Sequence, residues 1–175
     1  FGAAGATTKA TYVSSGEVLC TSHAAASSGA SGALTLDFAG EEDVLAVASV
    51  HTSGPSGPIV ADGALVLTRA EVLRSRSIVF GAPSMSGQLH FRATFDLFAG
   101  GGSGGEGISV CLGDLTEAVF GEEGAGSGLR VSLLTHAEAL EVHYGDELVV
   151  RRHVARAMVR AQRYVAVAVS YGPLG

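Results

Sequence analysis

Asparagine and tryptophan are absent from this chain of 175 residues, and Lys9 is its only lysine. Without asparagine there is no N-x-[ST] acceptor, which excludes N-glycosylation within these residues and an asparagine amide in any metal or sugar site. The remaining basic residues are arginines, and the 17 acidic residues bring the net charge to −6. Because phosphate binding needs a basic surface, this balance argues against nucleic acid as the main partner.

Long apolar runs are also missing. The run VAVAV at 165–169 is among the longest, and it is far too short to cross a bilayer. No signal peptide is visible and the first residue is Phe1, so we expect a processed chain or a piece of a longer one. The length and the 47% of hydrophobic residues suit one domain with a real core and exclude general disorder.

Cysteine occurs only twice, as Cys20 and Cys111. The two residues could form a disulfide, which would suit an oxidising compartment. They could equally be buried thiols, or bond to partners outside these residues. The count alone leaves these alternatives open.

Short apolar or alternating segments, separated by turn residues, fill the chain from Leu34 onward. Many short strands at this spacing are typical of a β-sandwich or barrel, so we predict an all-β fold over 34–175. The first 33 residues are rich in Ala, Ser, Gly and Thr, which favours a linker or the end of a preceding module. The predicted strands are LTLDF (34–38), DVLAVASV (43–50), ALVLT (64–68), SIVF (77–80), LHFRATFDLF (89–98), ISVCL (108–112), LRVSLL (129–134), LEVHY (140–144), ELVV (147–150) and YVAVAVSY (164–171).

Two segments carry a clear periodicity. In LHFRATFDLF the side chains alternate between apolar and mostly polar, which predicts a strand with one buried face. In RRHVARAMVRAQR (151–163) four arginines have helical spacing, which predicts the only helix. The arginine stripe is a basic docking face, a solvated face or part of an irregular connection, and the last two are favoured.

The stretch GGGSGGEGISVCLGDL (100–115) contains two motifs of enzymes. Residues 102–107 fit the dinucleotide-binding pattern G-x-G-x-x-G, and residues 101–105 fit the hydrolase pattern G-x-S-x-G. Both motifs need a helix after the glycines, whereas ISVCL has no helical period. We therefore predict a hairpin loop between two strands, and no catalytic serine.

The six histidines show no metal-binding spacing such as H-x-x-x-H. Glu141 and His143 fall on one face of a predicted strand, with His136 and Glu138 close in sequence. A zinc site and an exposed polar face are both compatible with this group, and the exposed polar face is favoured.

Several motifs follow one another in a characteristic order: GALVLT (63–68), FRATFDL (91–97), Glu106-Gly107-Ile108 and VSLLT (131–135). This order, over about 34–175, resembles the L-type lectin or concanavalin-like β-sandwich, the superfamily shared with laminin-G-like modules. The resemblance implies an antiparallel jelly-roll sandwich. Because YVAVAVSYG is similar to a strand after which the family continues, it also implies that C-terminal strands lie elsewhere and that this is a fragment of a larger protein.

The resemblance further implies a carbohydrate site at Glu106, Gly107, Gly126 and His136. Glu106 stands where sugar-binding relatives have an aspartate, and Gly126 is the glycine of the next loop. His136 follows Thr135, where an aromatic or metal-adjacent residue is common in the family.

Calcium binding is not expected at this site. Leu134 replaces the metal-binding acid of the family's F-D-T motif, and the calcium-ligating asparagine is missing. Since a hard cation needs several oxygen ligands, we expect no metal and no cofactor. The glucanase branch has a strand E-x-D-x-x-E, and here His143 replaces the middle acid, so glycoside hydrolysis is not expected either.

Together these features predict a non-catalytic structural or adhesive module of a large extracellular or cell-surface protein. Its expected partners are other protein subunits or modules of the same assembly. The alternative is a calcium-independent carbohydrate-binding lectin domain, with glycans as ligands. An enzyme is the least favoured class, because the contexts of both enzyme motifs fail.

Overall fold

The computed structural model describes residues 7–14, 17–21, 38–54, 59–68, 75–81, 91–100, 105–113, 115, 123–126, 128–160 and 162–172. Two short helices, α1 (Glu41–Leu45) and α2 (Arg156–Val159), accompany a set of β-strands. The strands are β1 (Thr7–Ser14), β2 (Glu17–Thr21), β3 (Ala48–Ser53), β4 (Val60–Ala61), β5 (Ala64–Thr68), β6 (Ser75–Gly81), β7 (Phe91–Gly100), β8 (Gly105–Gly113), β9 (Leu129–Leu134), β10 (Ala139–Tyr144), β11 (Glu147–His153) and β12 (Tyr164–Tyr171).

These strands form two antiparallel sheets. The seven-stranded sheet has the order β11-β10-β9-β8-β1-β6-β3, and the five-stranded sheet has the order β12-β7-β2-β5-β4. The prediction of an all-β fold is therefore confirmed. Of the predicted strand at 34–38, only Phe38 is among the described residues, and it is not in a strand.

The N-terminal strands occupy interior positions in both sheets. β1 pairs with β6 on one side and β8 on the other, and β2 lies between β5 and β7. Residues 7–14 and 17–21, which were predicted to belong to a linker or to the end of a preceding module, are therefore strands of the two sheets. The overall composition of residues 1–33 is dominated by Ala, Ser and Gly, but two short segments within it are rich in Thr, Val and Tyr, which favour strands.

One hydrophobic core is shared by the two sheets. Leu65 and Leu67 of the five-stranded sheet belong to the same buried cluster as Ile78 and Ile108 of the seven-stranded sheet. Val44 of α1 is fully buried in the same cluster. Because each sheet buries one face against the other, the packing is that of two β layers.

A buried arginine links the two layers. Arg76 on β6 is 6% exposed, and its Nη1 donates a hydrogen bond of 2.7 Å to the carbonyl oxygen of Val66 on β5. The two residues belong to different sheets, so this charge-assisted bond fixes one layer against the other.

Two tight turns occur where the sequence has DG and GD between predicted strands. Asp62 and Gly63, between β4 and β5, have φ of 53° and 71°, as a type I′ turn requires. Gly145, between β10 and β11, has φ of 59°, a conformation that glycine adopts without strain. The chain thus turns at both of these dipeptides.

The glycine run connects the two sheets. A strand follows the glycines, as predicted, because β8 covers 105–113. The predicted hairpin is wrong, however: β7 pairs with β2 and β12, whereas β8 pairs with β1 and β9. Local patterns identified both strands correctly, but their partners are distant segments.

The alternation predicted for β7 is confirmed over its described side chains. Leu97 and Ala99 are buried and Phe95 packs against the core, whereas Arg92 and Thr94 are exposed. The apolar face of β7 therefore lies toward the other sheet.

The predicted strand at 43–50 is partly helical. α1 takes Glu41–Leu45, and β3 begins only at Ala48. Three acidic residues in the first turn favour the helix through its dipole, and Glu41 Oε1 accepts a hydrogen bond of 2.7 Å from the Ile59 amide. These contacts outweigh the strand propensity of the valines.

The predicted helix at 151–163 is wrong over most of its length. Residues 151–153 continue β11, where Arg151 lies opposite Glu141 and Arg152 opposite Leu140. Only Arg156–Val159 is helical. The arginine stripe is thus divided between a strand, one helical turn and the connection to β12. Within the described ranges no helix is long and apolar enough to span a membrane.

Candidate functional site

The residues predicted to bind carbohydrate lie on β8 and on the segments that flank β9. Glu106 and Gly107 are near the start of β8, and Gly107 lies opposite Leu134, the last residue of β9. His136, which is exposed, follows two residues later in the turn before β10. The strand register therefore brings Glu106, Gly107 and His136 to the same end of the seven-stranded sheet.

Gly126 belongs to a loop that covers the outer face of β8 and β9, the face that points away from the shared core. Ser132 Oγ donates a hydrogen bond of 3.0 Å to the carbonyl oxygen of Glu123. Gly124 approaches so closely that a Cβ on it would lie 2.7 Å from Ser109 Oγ. The loop thus rests on two fully buried serines of neighbouring strands.

The strand register does not bring Gly126 to the other three residues. It precedes Leu129, which starts β9 opposite Leu112, whereas His136 follows the opposite end of that strand. A site that uses all four residues depends on the path of the loop over the sheet. The carbohydrate-binding role of these residues stays a prediction.

A polar cluster of Glu141, His143, Arg151 and Arg130 lies on the outer face of β9, β10 and β11. Glu141 Oε2 is 3.1 Å from His143 Nε2, and its Oε1 is 3.2 Å from Arg151 Nη1. Arg130, opposite His143, donates a hydrogen bond of 3.1 Å to the Gly145 carbonyl oxygen. Each carboxylate oxygen of Glu141 thus faces one basic partner, and the contact with Arg151 joins β10 to β11.

The expectation that Glu141 and His143 share a strand face is confirmed by this contact. Within the part of the chain that the structure describes, no group of three or more His, Cys, Asp or Glu side chains is placed to hold a metal ion. His136 and Glu138 lie in the turn before β10. Glu141 is buried and His143 is partly buried, so the group is less exposed than the favoured interpretation, an exposed polar face, expected. The choice between that face and a zinc site stays a prediction.

The cysteines lie in different sheets. Cys111, on the outer face of β8, is a fully buried thiol whose Sγ is 3.8 Å from Ser109 Oγ. Cys20 is on β2 of the five-stranded sheet, opposite Leu97. The pairing of Cys20 with Cys111 stays a prediction.

The two edge strands β11 and β12 differ in chemistry. β12 ends the five-stranded sheet, and its sequence YVAVAVSY contains neither charge nor proline. β11 ends the seven-stranded sheet, carries charged residues at 147, 151 and 152, and is paired to β10 through a register shift. Charges and bulges protect an edge strand against pairing with other chains, so β11 is protected and β12 is not.

Sequence reasoning missed the edge position of β12. The signal available was the absence of charge over the eight residues 164–171. Whether such a strand is central or at an edge depends on distant partners, and among the described strands β12 pairs with β7.

No protein-family model matches this chain, and no curated protein or solved structure matches it either. The likeness to concanavalin-like lectins therefore depends on the order of the sequence motifs alone.

Proposed function

We propose that this chain is a non-catalytic structural or adhesive module with a concanavalin-like jelly-roll fold, belonging to an extracellular or cell-surface protein, and that it assembles through β12. The carrying observation is the unprotected edge. At its start Tyr164 is 46% exposed and Val165 is 37% exposed. An extended partner strand adds to such an edge through main-chain hydrogen bonds, and burying two exposed apolar side chains contributes about 1–2 kcal/mol each.

The start of β12 is ordered for such a contact. Tyr164 packs against Phe98 of β7, with ring centroids 5.6 Å apart and an interplanar angle of 56°. A tilted aromatic pair of this kind is favourable and restricts the rotamers of both rings. Less side-chain entropy is then lost when a partner covers Tyr164.

The sequence of β12 is self-complementary in an antiparallel arrangement. Val167 packs against the core and Val169 is buried, so the odd-numbered residues face inward. Antiparallel pairing of two copies about Val167 places Val165 opposite Val169 and Ala166 opposite Ala168. The core-facing sides of the two β12 strands then lie on the same side of the new strand pair. The five-stranded sheets of the two copies therefore join into one continuous sheet.

The partner that fits this edge best is therefore a second copy of the same chain, as one subunit of the same assembly. Cross-strand pairs of β-branched residues contribute about 0.2–1 kcal/mol each beyond the main-chain bonds. The non-catalytic part of the proposal is supported by β8, since a strand follows the glycines where both enzyme motifs need a helix.

The variant Ala166→Lys/Ala168→Lys tests the edge. Both alanines are exposed, so the lysines can be accommodated in the monomer, but they would face the same two lysines of the second copy. Like charges across a strand pair are destabilising. We expect the wild-type chain to dimerise at about 100 µM in sedimentation velocity, and the variant to dimerise at least about tenfold more weakly.

The matched control is Leu148→Lys/Val149→Lys on β11, where both side chains are also exposed. This variant adds the same charge at the other edge and should leave dimerisation unchanged. A wild-type chain that stays monomeric, or a control that dissociates equally, contradicts assembly through β12.

The alternative function, calcium-independent carbohydrate binding, is supported by one observation. The register Gly107 opposite Leu134 brings Glu106 and His136 to one end of the sheet. On a glycan array we expect binding that is unaffected by calcium and is lost in Glu106→Gln and His136→Ala, but kept in Glu147→Gln on β11. An array without bound glycans, or equal loss in the Glu147 variant, contradicts this function.

A further inference from the structure

The two helices carry opposite charges on their exposed sides. α1 begins with three acidic residues, of which Glu42 and Asp43 are exposed. No acidic residue follows position 147, whereas the stretch 151–163, which contains α2, has five arginines. Arg156 on α2 and Arg163 after it are exposed. Each helical segment therefore presents charged side chains of one sign to solvent.

Each helix also exposes one large apolar side chain. Leu45, the last residue of α1, is 56% exposed, and Met158 of α2 is 68% exposed. Glu42 and Leu45 are three positions apart, so they lie on one side of α1. Val44 is fully buried in the core and fixes this side of the helix toward solvent. An apolar centre with a charged rim is the usual arrangement of a contact between proteins.

The helices lie at opposite edges of the seven-stranded sheet. α1 leads into β3, which ends the described part of this sheet on one side, and α2 follows β11, which ends it on the other. Six strand spacings of about 4.8 Å separate these two edges, so the helices are roughly 25–30 Å apart within one copy. Their complementary sides can therefore meet between two copies but not within one.

We infer that α1 of one copy docks against α2 of a second copy. Leu45 then packs on Met158, and the exposed acids of α1 face the arginines before and after this methionine. The second copy is the partner because the chain carries both halves of the contact, with opposite charges and one exposed apolar side chain each.

This contact joins two different surfaces, so it is heterologous and can repeat from copy to copy. It does not use the edge of β12 and goes beyond assembly through that strand. Chains paired through β12 still expose both helices, so the helix contact can join such pairs into a longer array, as a structural module requires.

The test uses the variant Ala166→Lys/Ala168→Lys as the parent, so that pairing through β12 does not contribute. In sedimentation equilibrium we expect the parent to associate with a Kd of about 1 mM or below. Reversing the charge of α1 by Glu42→Arg/Asp43→Arg places like charges across the contact and should weaken association at least about tenfold. Thermal unfolding checks that each variant is folded.

Reversing the charge of the other side by Arg156→Glu/Arg163→Glu should cause the same loss. Each reversed variant carries two helical segments of the same sign, so neither associates with itself. In an equimolar mixture, however, α1 of either variant matches α2 of the other. The mixture should regain association to within about threefold of the parent. Because mixing does not repair a misfolded variant, this result separates a lost contact from a lost fold.

The matched control is Asp146→Arg/Glu147→Arg, which reverses two exposed acids at the turn between β10 and β11 and should stay within about twofold of the parent. Met158→Ser should weaken association about threefold or more, because its apolar area no longer becomes buried. Val149→Ser changes a residue that is 56% exposed on β11 and should have no effect.

A parent that stays monomeric at about 1 mM protein would overturn the contact. A mixture of the two reversed variants that does not associate, or an equal loss in the control, would overturn it as well. All of these measurements are made in the lysine background, so they are independent of pairing through β12, which is measured with the wild-type chain.

Discussion

Replacing Gly124 with alanine is expected to lower the free energy of unfolding by about 3 kcal/mol. Gly124 has φ of 74°, a left-handed conformation that costs other residues about 1–2 kcal/mol. A Cβ there would collide with Cys111 Sγ and lie 2.7 Å from Ser109 Oγ. Both neighbours are fully buried on β8, so they cannot move aside without disturbing the sheet. Urea denaturation monitored by circular dichroism measures the change.

Gly63→Ala is the matched control. Gly63 has nearly the same φ, 71°, but nothing lies within 4 Å of the position that a Cβ would take. This variant should therefore lose only the backbone contribution, about 1 kcal/mol. If the two variants lose the same free energy of unfolding, the close approach of Gly124 to Ser109 and Cys111 does not contribute to the loss, which contradicts this prediction.

Truncation of Leu67 to alanine should be similarly costly, at about 3–4 kcal/mol. Leu67 is fully buried in the cluster that contains Ile78 of the opposite sheet. Removing its isobutyl group loses the transfer free energy and leaves a cavity between the layers, and the paired strands on both sides limit how far the cavity can close. In urea denaturation the midpoint concentration should fall, while the slope of the unfolding free energy against urea concentration stays unchanged.

Leu148→Ala makes the same chemical change at a residue that is 47% exposed on β11. Its loss should be below about 1 kcal/mol, since little apolar area returns to water. Equal losses for Leu67 and Leu148 would contradict a single core shared by the two sheets.

Several strands could be predicted from the sequence residue by residue. ALVLT, LRVSLL and YVAVAVSY coincide with β5, β9 and β12. Each is rich in apolar residues and contains valine, and the breaks around them contain glycine or other turn residues, so local propensity and the observed structure agree. The DG dipeptide at 62–63 coincides with a turn in which both residues have positive φ.

Pairing could not be predicted in this way. β7 and β8 are adjacent in sequence and look like a hairpin, yet each takes its partners from distant segments. The error at residues 1–33 has the same origin, because β1 gains its stability from β6 and β8 rather than from its own composition. The closeness of Glu106 to the turn at His136 also depends on a register, which the sequence alone does not specify.

The interior position of β1 and β2 also determines how the chain reaches its fold. Thr7 pairs with Gly81 and with Gly113, so β1 must wait for two partners that are synthesised much later. Contacts of such long range slow folding, because a large loop has to close before the pairing stabilises it. During synthesis the two N-terminal strands remain unpaired while the strands on either side of them are still being made. We therefore expect the halves of both sheets to join last, as β1 and β2 insert between segments that are already formed.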